Sequence, residues 1–279
     1  MARRHTLSVS IVLSILALAA PAFGMVNAEE PDPGGTRFDA IGAFGFTRWL
    51  DGSQKNDNWW GGATLIGREV IVTAKHNVHT DQLTDGNYAV RFRRQPDGEV
   101  QHKSYVDDET DERVFPYIVP VKEWILPPSG DIAIGILREP VWHIDPIPAT
   151  LETPDVGDSF VLGGWGSESE TIGAHGPRNR LLIGETTCTS AGSSFVGFPS
   201  FWSAGNPPGP NMHDSGGAIL DYDEFGNLNY VGTITTYGGG TGLGQFEGTA
   251  FGEQLMVPEP ATMTLLALGG LMAVRRRRG

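Results

Sequence analysis

Gly61-Gly-Ala-Thr-Leu-Ile-Gly-Arg-Glu-Val-Ile-Val-Thr-Ala-Lys-His76 reads as two apolar segments flanking a turn, with a histidine just past the second. The second segment, Glu69 to Ala74, is short and β-branched, which favours a buried strand over a helix. Similar runs recur along the chain. They include Tyr88-Ala-Val-Arg-Phe92, Asp131-Ile-Ala-Ile-Gly-Ile-Leu137, Ser159-Phe-Val-Leu162, Arg180-Leu-Leu-Ile183, Gly216-Gly-Ala-Ile-Leu220 and Tyr230-Val-Gly-Thr-Ile-Thr235. Turn signals separate them, and there are 38 glycines in the chain. No long amphipathic helix is evident. The pattern predicts an all-β fold of sandwich or barrel type. The proline-rich stretch from Glu139 to Pro154 lacks clear periodicity and divides the strands into two groups.

Both ends read as processing signals. Arg3 and Arg4 precede an apolar stretch from Val9 to Ala20, and small residues follow. This is the layout of a signal peptide over residues 1–28, with Val26-Asn27-Ala28 as the cleavage site and Ala22-Phe23-Gly24 as an alternative. At the other end, Val257-Pro-Glu-Pro260 is followed by an uncharged stretch to Val274 and then Arg275 to Arg278. That stretch is short for a spanning helix of ~20 residues. The three elements together resemble the PEP-CTERM sorting signal of Gram-negative bacteria, over residues 257–279. The resemblance implies processing by an exosortase, export across the inner membrane, and a destination at the cell surface or in the extracellular matrix.

Removing residues 1–28 and 261–279 takes away six of the 20 basic residues and none of the 33 acidic ones, leaving 14 against 33. A surface this acidic repels nucleic acid and anionic lipid, so membrane contact is expected only through the terminal signals. Cys188 is the single cysteine, so the folded part has no internal disulfide. It is expected to be a half-buried strand residue. Asp221 to Asn229 has the look of a calcium loop, but Phe225 and Gly232 stand where oxygen ligands are needed; a polar hairpin tip is expected instead. The acidic run from Asp107 to Glu112 reads as a solvated loop, and no cofactor or metal is called for.

Candidate chemistry centres on His213-Asp214-Ser215-Gly216-Gly217. A serine hydroxyl needs a base to take its proton, and the attacked carbonyl needs N–H groups aimed at the developing oxyanion. Flanking glycines permit a tight turn and close substrate approach. Among the seven histidines, His76 falls at the end of a strand, a rigid platform for a general base. Asp131 opens an apolar strand, where a carboxylate needs a partner, and a histidine N–H supplies one. His76 and His79 could also hold a metal, although the spacing lacks the usual glutamate and helical interval.

The chain order His76, Asp131, Ser215 resembles that of the trypsin/chymotrypsin-like serine peptidases. Further likenesses are Thr73-Ala-Lys-His76, Asp131-Ile-Ala-Ile134, Gly164-Trp-Gly166 and Thr236-Tyr-Gly238, so the resemblance spans roughly residues 38–255. It implies two six-stranded antiparallel β-barrels, at 29–145 and 146–256, with the active site in the cleft between them. It also implies His76, Asp131 and Ser215 as catalytic residues, and the backbone N–H groups of His213 and Ser215 as the oxyanion hole. Gly209, Thr236, Tyr237 and Gly238 would bind substrate. Gly209 stands where trypsin-like members place an aspartate, so the resemblance implies a small or apolar residue at the cleavage point of a protein or peptide substrate. His213 stands where the family has glycine. Asp214 would pair with a new N-terminal amine, for which Ile41 is a candidate, or with an internal group. The alternative reading is a catalytically weak or inactive peptidase-fold binding protein.

Overall fold

The computed structural model describes residues 28–32, 34–47, 61–100, 105–106, 113–114, 117–166, 181–199, 210, 214–236, 238–249, 252 and 255. The signal peptide up to residue 27, the sorting signal from 257, the acidic run 107–112, and Gly209, His213 and Tyr237 lie outside them.

The first group of strands comprises β1 (Ile41–Phe46), β2 (Gly61–Gly67), β3 (Val70–Thr73), β4 (Tyr88–Phe92), the short pair β5 (Tyr105–Val106) and β6 (Arg113–Val114), β7 (Tyr117–Ile125) and β8 (Ala133–Leu137). Six of them close into an antiparallel barrel in the order β1-β2-β3-β8-β7-β4. The second group comprises β9 (Ser159–Gly164), β10 (Leu182–Thr187), β11 (Ser190–Gly192), β12 (Phe195–Gly197), β13 (Ala218–Tyr222), β14 (Leu228–Thr236) and β15 (Gly239–Gly242). It forms one sheet in the order β10-β9-β13-β14-β15-β12-β11.

The all-β fold and the first barrel are as expected. In the second unit the described residues form a seven-stranded half-barrel sheet. Its two margins have different partners. β11 pairs with β12 alone, while the free edge of β10 is taken by Glu29, which exchanges two hydrogen bonds of 2.9 Å with Ile183. A main-chain bridge from the N-terminal segment thus covers the outer edge of β10.

The apolar runs of β9, β13 and β14 are continuous because these central strands of the second sheet are largely buried on both faces. Phe160, Leu162, Ile219, Val231 and Ile234 face a small core of their own. The alternating residues Val161, Ala218, Leu220 and Tyr230 join the larger core, which continues through the barrel. There Tyr88 stacks on Phe44 and Phe46 with centroids 5.6 and 4.8 Å away. The two units therefore share one apolar interior, and their relative placement is fixed by packing.

The segment between them is stapled down. Arg68 Nη1 donates to the carbonyl oxygens of Val141, Trp142 and Ile144, and its Nη2 pairs with Asp145. Upstream of β1, buried Asp39 receives Arg93 Nε at 2.7 Å and Arg94 Nε, while both arginines also bond the carbonyl of Gly35. Asp223 accepts the N–H groups of Phe225 and Asn227, so Asp221 to Asn229 is the polar hairpin between β13 and β14. Cys188 is more deeply placed than expected: it lies just past β10, 2% exposed, with its thiol pushed up by burial.

Candidate active site

His76 sits on a single 3-10 turn, Lys75–Asn77, directly after β3. β3 pairs with β8 through Thr73 and Ala133, so the end of one strand lies beside the start of the other. Gly130, at φ 78°, turns the chain just before Asp131 into a conformation that glycine accepts readily. Lys75 Nζ ties to the carbonyl of Pro127 at 2.6 Å and holds the same loop against the turn.

The result is a two-point grip. Asp131 Oδ2 lies 2.6 Å from His76 Nδ1, and Asp131 Oδ1 accepts the His76 backbone N–H at 2.9 Å. Burial pushes the Asp131 carboxyl up, but the hydrogen bonds and charge of His76 outweigh it and hold the group below its ordinary value of 3.8. An ionised Asp131 can only accept, so Nδ1 carries the proton and Nε2 remains as the ring nitrogen able to take one.

Ser215 lies on the turn before β13. Gly217 N–H returns to the Asp214 carbonyl at 2.8 Å, and Gly216 N–H bonds Ile234 O at 2.8 Å, joining the turn to β14. Gly216 has φ 87°, and a Cβ there would fall 2.1 Å from the Gly62 carbonyl oxygen, so no other residue fits without displacement. The Ser215 carbonyl reaches across to the barrel: it accepts Gly62 N–H at 2.9 Å and Asn77 Nδ2 at 2.8 Å. Nucleophile candidate and base candidate, 139 positions apart in sequence, are thereby brought to adjoining segments.

Asp214 is fully buried. Gly166 N–H donates to its Oδ1 at 2.7 Å, and a Cβ at Gly164 or Gly166 would collide with the carboxylate. The Gly164-Trp165-Gly166 segment is thus a cradle for Asp214, and an internal group is one of its partners. Ile41, the candidate for a new terminus, is an interior strand residue in the intact chain. It lies within β1, fully buried, paired with Thr64, and its carbonyl accepts Trp165 Nε1 at 3.0 Å. The residue before it is equally engaged, through Leu65 N–H on the Ala40 carbonyl.

Thr236 is exposed at the end of β14. The register between β14 and β15 shifts between Ile234 and Thr236, so Ile234 points into the small core while Thr236 opposes Gly239 on the other face. A bulge at Thr235 therefore turns the strand end outward. The Gly238 carbonyl accepts Phe198 N–H. His79 donates its backbone N–H to the Tyr88 hydroxyl oxygen at 2.8 Å, and its ring stacks on Phe46.

Two residues of this site carried no usable sequence signal. Asn77 follows the histidine as an ordinary polar residue, and only the fold places its amide on the Ser215 carbonyl. Lys75 likewise gives no sign in the sequence of its brace to the Pro127 carbonyl.

The family model described as Trypsin matches residues 35–252, and that of the PEP-CTERM protein-sorting motif matches residues 257–278. No curated protein matches the chain.

Proposed function

The chain belongs to the trypsin family and ends in a PEP-CTERM sorting motif, and on that premise we propose that it is an exported serine endopeptidase working through Ser215, His76 and Asp131. The observation that carries the reading is the double hydrogen bond of Asp131 to His76, set beside a nucleophile turn whose carbonyl is bound to the next residue, Asn77.

In the proposed reaction, Ser215 Oγ attacks the peptide carbonyl while its proton passes to His76 Nε2. Asp131 keeps the imidazole in the receptive tautomer and stabilises the imidazolium that forms. The backbone N–H groups of Ser215 and His213 receive the oxyanion. As the C–N bond breaks, His76 gives the proton to the leaving amine. Water then attacks the acyl-enzyme with His76 as base, releasing the acid and restoring Ser215.

Gly209, Thr236, Tyr237 and Gly238 are the proposed substrate-binding positions. With no acid at Gly209, the residue before the cut is small or apolar rather than Arg or Lys. Removal of residues 1–28 accompanies export, and exosortase processing at the C-terminal motif leaves the peptidase at the cell surface or in the extracellular matrix. A second reading, a peptidase-fold binding protein with little turnover, is favoured by one feature, His213 in place of the glycine of the oxyanion hole.

A fluorophosphonate probe distinguishes them. The endopeptidase reading requires labelling at Ser215, abolished in Ser215→Ala, together with hydrolysis of a peptide library. Folded wild-type protein that neither labels nor cleaves would leave the binding reading.

A further inference from the structure

The Ser215 carbonyl belongs to a closed ring of four hydrogen-bonding residues. Asn77 Nδ2 donates to Ser215 O at 2.8 Å and approaches Thr73 Oγ1 at 3.4 Å. Thr73 Oγ1 donates to Gly62 O at 2.7 Å, and Gly62 N–H returns to Ser215 O at 2.9 Å. Asn77 is 2% exposed and Thr73 fully buried, so the ring is shielded from water. Three of its members come from the barrel and one, Ser215, from the second sheet.

The position of Asn77 makes this more than a packing contact. It is the residue after His76, on the same 3-10 turn. Its amide occupies the space that a Cβ at Gly61 would fill, 2.4 Å from Nδ2, and Nδ2 lies 2.8 Å from the Cβ position of Gly216. Glycines on both sides let the amide through to the serine carbonyl. The amide must present its nitrogen there, since a carbonyl oxygen only accepts. An oxygen at that point would face Ser215 O and Thr73 Oγ1 without a donor.

We propose that Asn77 is a positioning residue for the reaction: its amide ties the turn carrying the base to the nucleophile and so sets the separation of His76 and Ser215. The proposal rests on the endopeptidase reading above. His76 is held on its other side by Asp131, and Ser215 by Gly216 N–H on Ile234 and Gly62 N–H. Among the described residues, Asn77 is the side-chain link between the turn of His76 and the turn of Ser215. A misplacement of about 1 Å costs on the order of 100-fold in rate, so a loosened link appears in the chemical step.

The test uses the mature wild-type protein, Asn77→Ala and Asn77→Asp. Four quantities are measured: the rate of fluorophosphonate labelling at Ser215, kcat and KM on one peptide, and the melting temperature. Both variants are expected to lose about 10- to 100-fold in labelling rate and kcat, with KM within about twofold, while still folded at the assay temperature. If Asn77→Ala does not fold, the shape-matched Asn77→Asp carries the test. Variants that melt earlier but react at the wild-type rate per folded molecule would overturn the positioning role alone. Wild-type protein that is never labelled at Ser215 would overturn the endopeptidase reading and the positioning role with it.

Discussion

Replacing Asp131 by asparagine tests the geometry of the proposed site at one atom. Both oxygens of Asp131 accept from His76, Oδ1 from the backbone N–H and Oδ2 from Nδ1. An amide has one acceptor and one donor. In Asp131→Asn the backbone N–H, which has no alternative tautomer, keeps the oxygen, and the NH2 group is turned on Nδ1. The imidazole then places its proton on Nε2, where it cannot take one from Ser215. The shape of the site is preserved and only the direction of proton flow is reversed. Tautomer inversion of this kind lowers turnover by about 10⁴, or roughly 5.5 kcal/mol in the barrier at about 1.4 kcal/mol per decade. The assay is kcat on a peptide at neutral pH, with the melting curve recorded alongside. A folded Asp131→Asn protein within about tenfold of wild type would refute the assignment of Asp131 as the orienting group.

Other outcomes follow from the same coordinates. Since the folded-state value of Asp131 is lowered, its interaction with His76 adds stability above the ordinary carboxylate value of 3.8, and that contribution is lost as pH falls through the lower folded value; denaturation of wild type and Asp131→Asn should converge over that acidic range. Asp39→Ala leaves the buried guanidinium of Arg93 without its carboxylate, at a cost of about 3–5 kcal/mol, read as a fall in melting temperature on the order of 10 °C. Cys188, buried and with its thiol raised, should resist alkylation at pH 8 in the folded protein and react fully only in denaturant.

The N-terminal segment illustrates how tertiary contacts revise a sequence expectation. Ile41 followed by glycine invites comparison with a cleaved terminus, yet it is an interior strand residue whose flanking bonds a cut would sever. The preceding residues are anchored by Asp39 to Arg93 and Arg94, and by Glu29 to the edge of β10. Nothing local in Arg93-Arg94 distinguishes a buried clasp from a solvated basic pair, because the difference lies in a partner 54 positions away.

Turn glycines and β-branched apolar runs were enough to mark β2, β3, β4, β8, β9, β10, β13 and β14, because those signals act between neighbours; no run read from the sequence covers β1, β7, β11, β12 or β15. The catalytic candidates were also legible, since the chemistry restricts which residue types can serve and in what setting. What the tertiary structure decided are the relations between distant segments. Asn77 meets Ser215, Gly166 meets Asp214, and Glu29 bridges to the outer edge of β10. Each depends on directional hydrogen bonds that form only once a common apolar core has fixed the two units against each other, and no pattern within either segment specifies its partner.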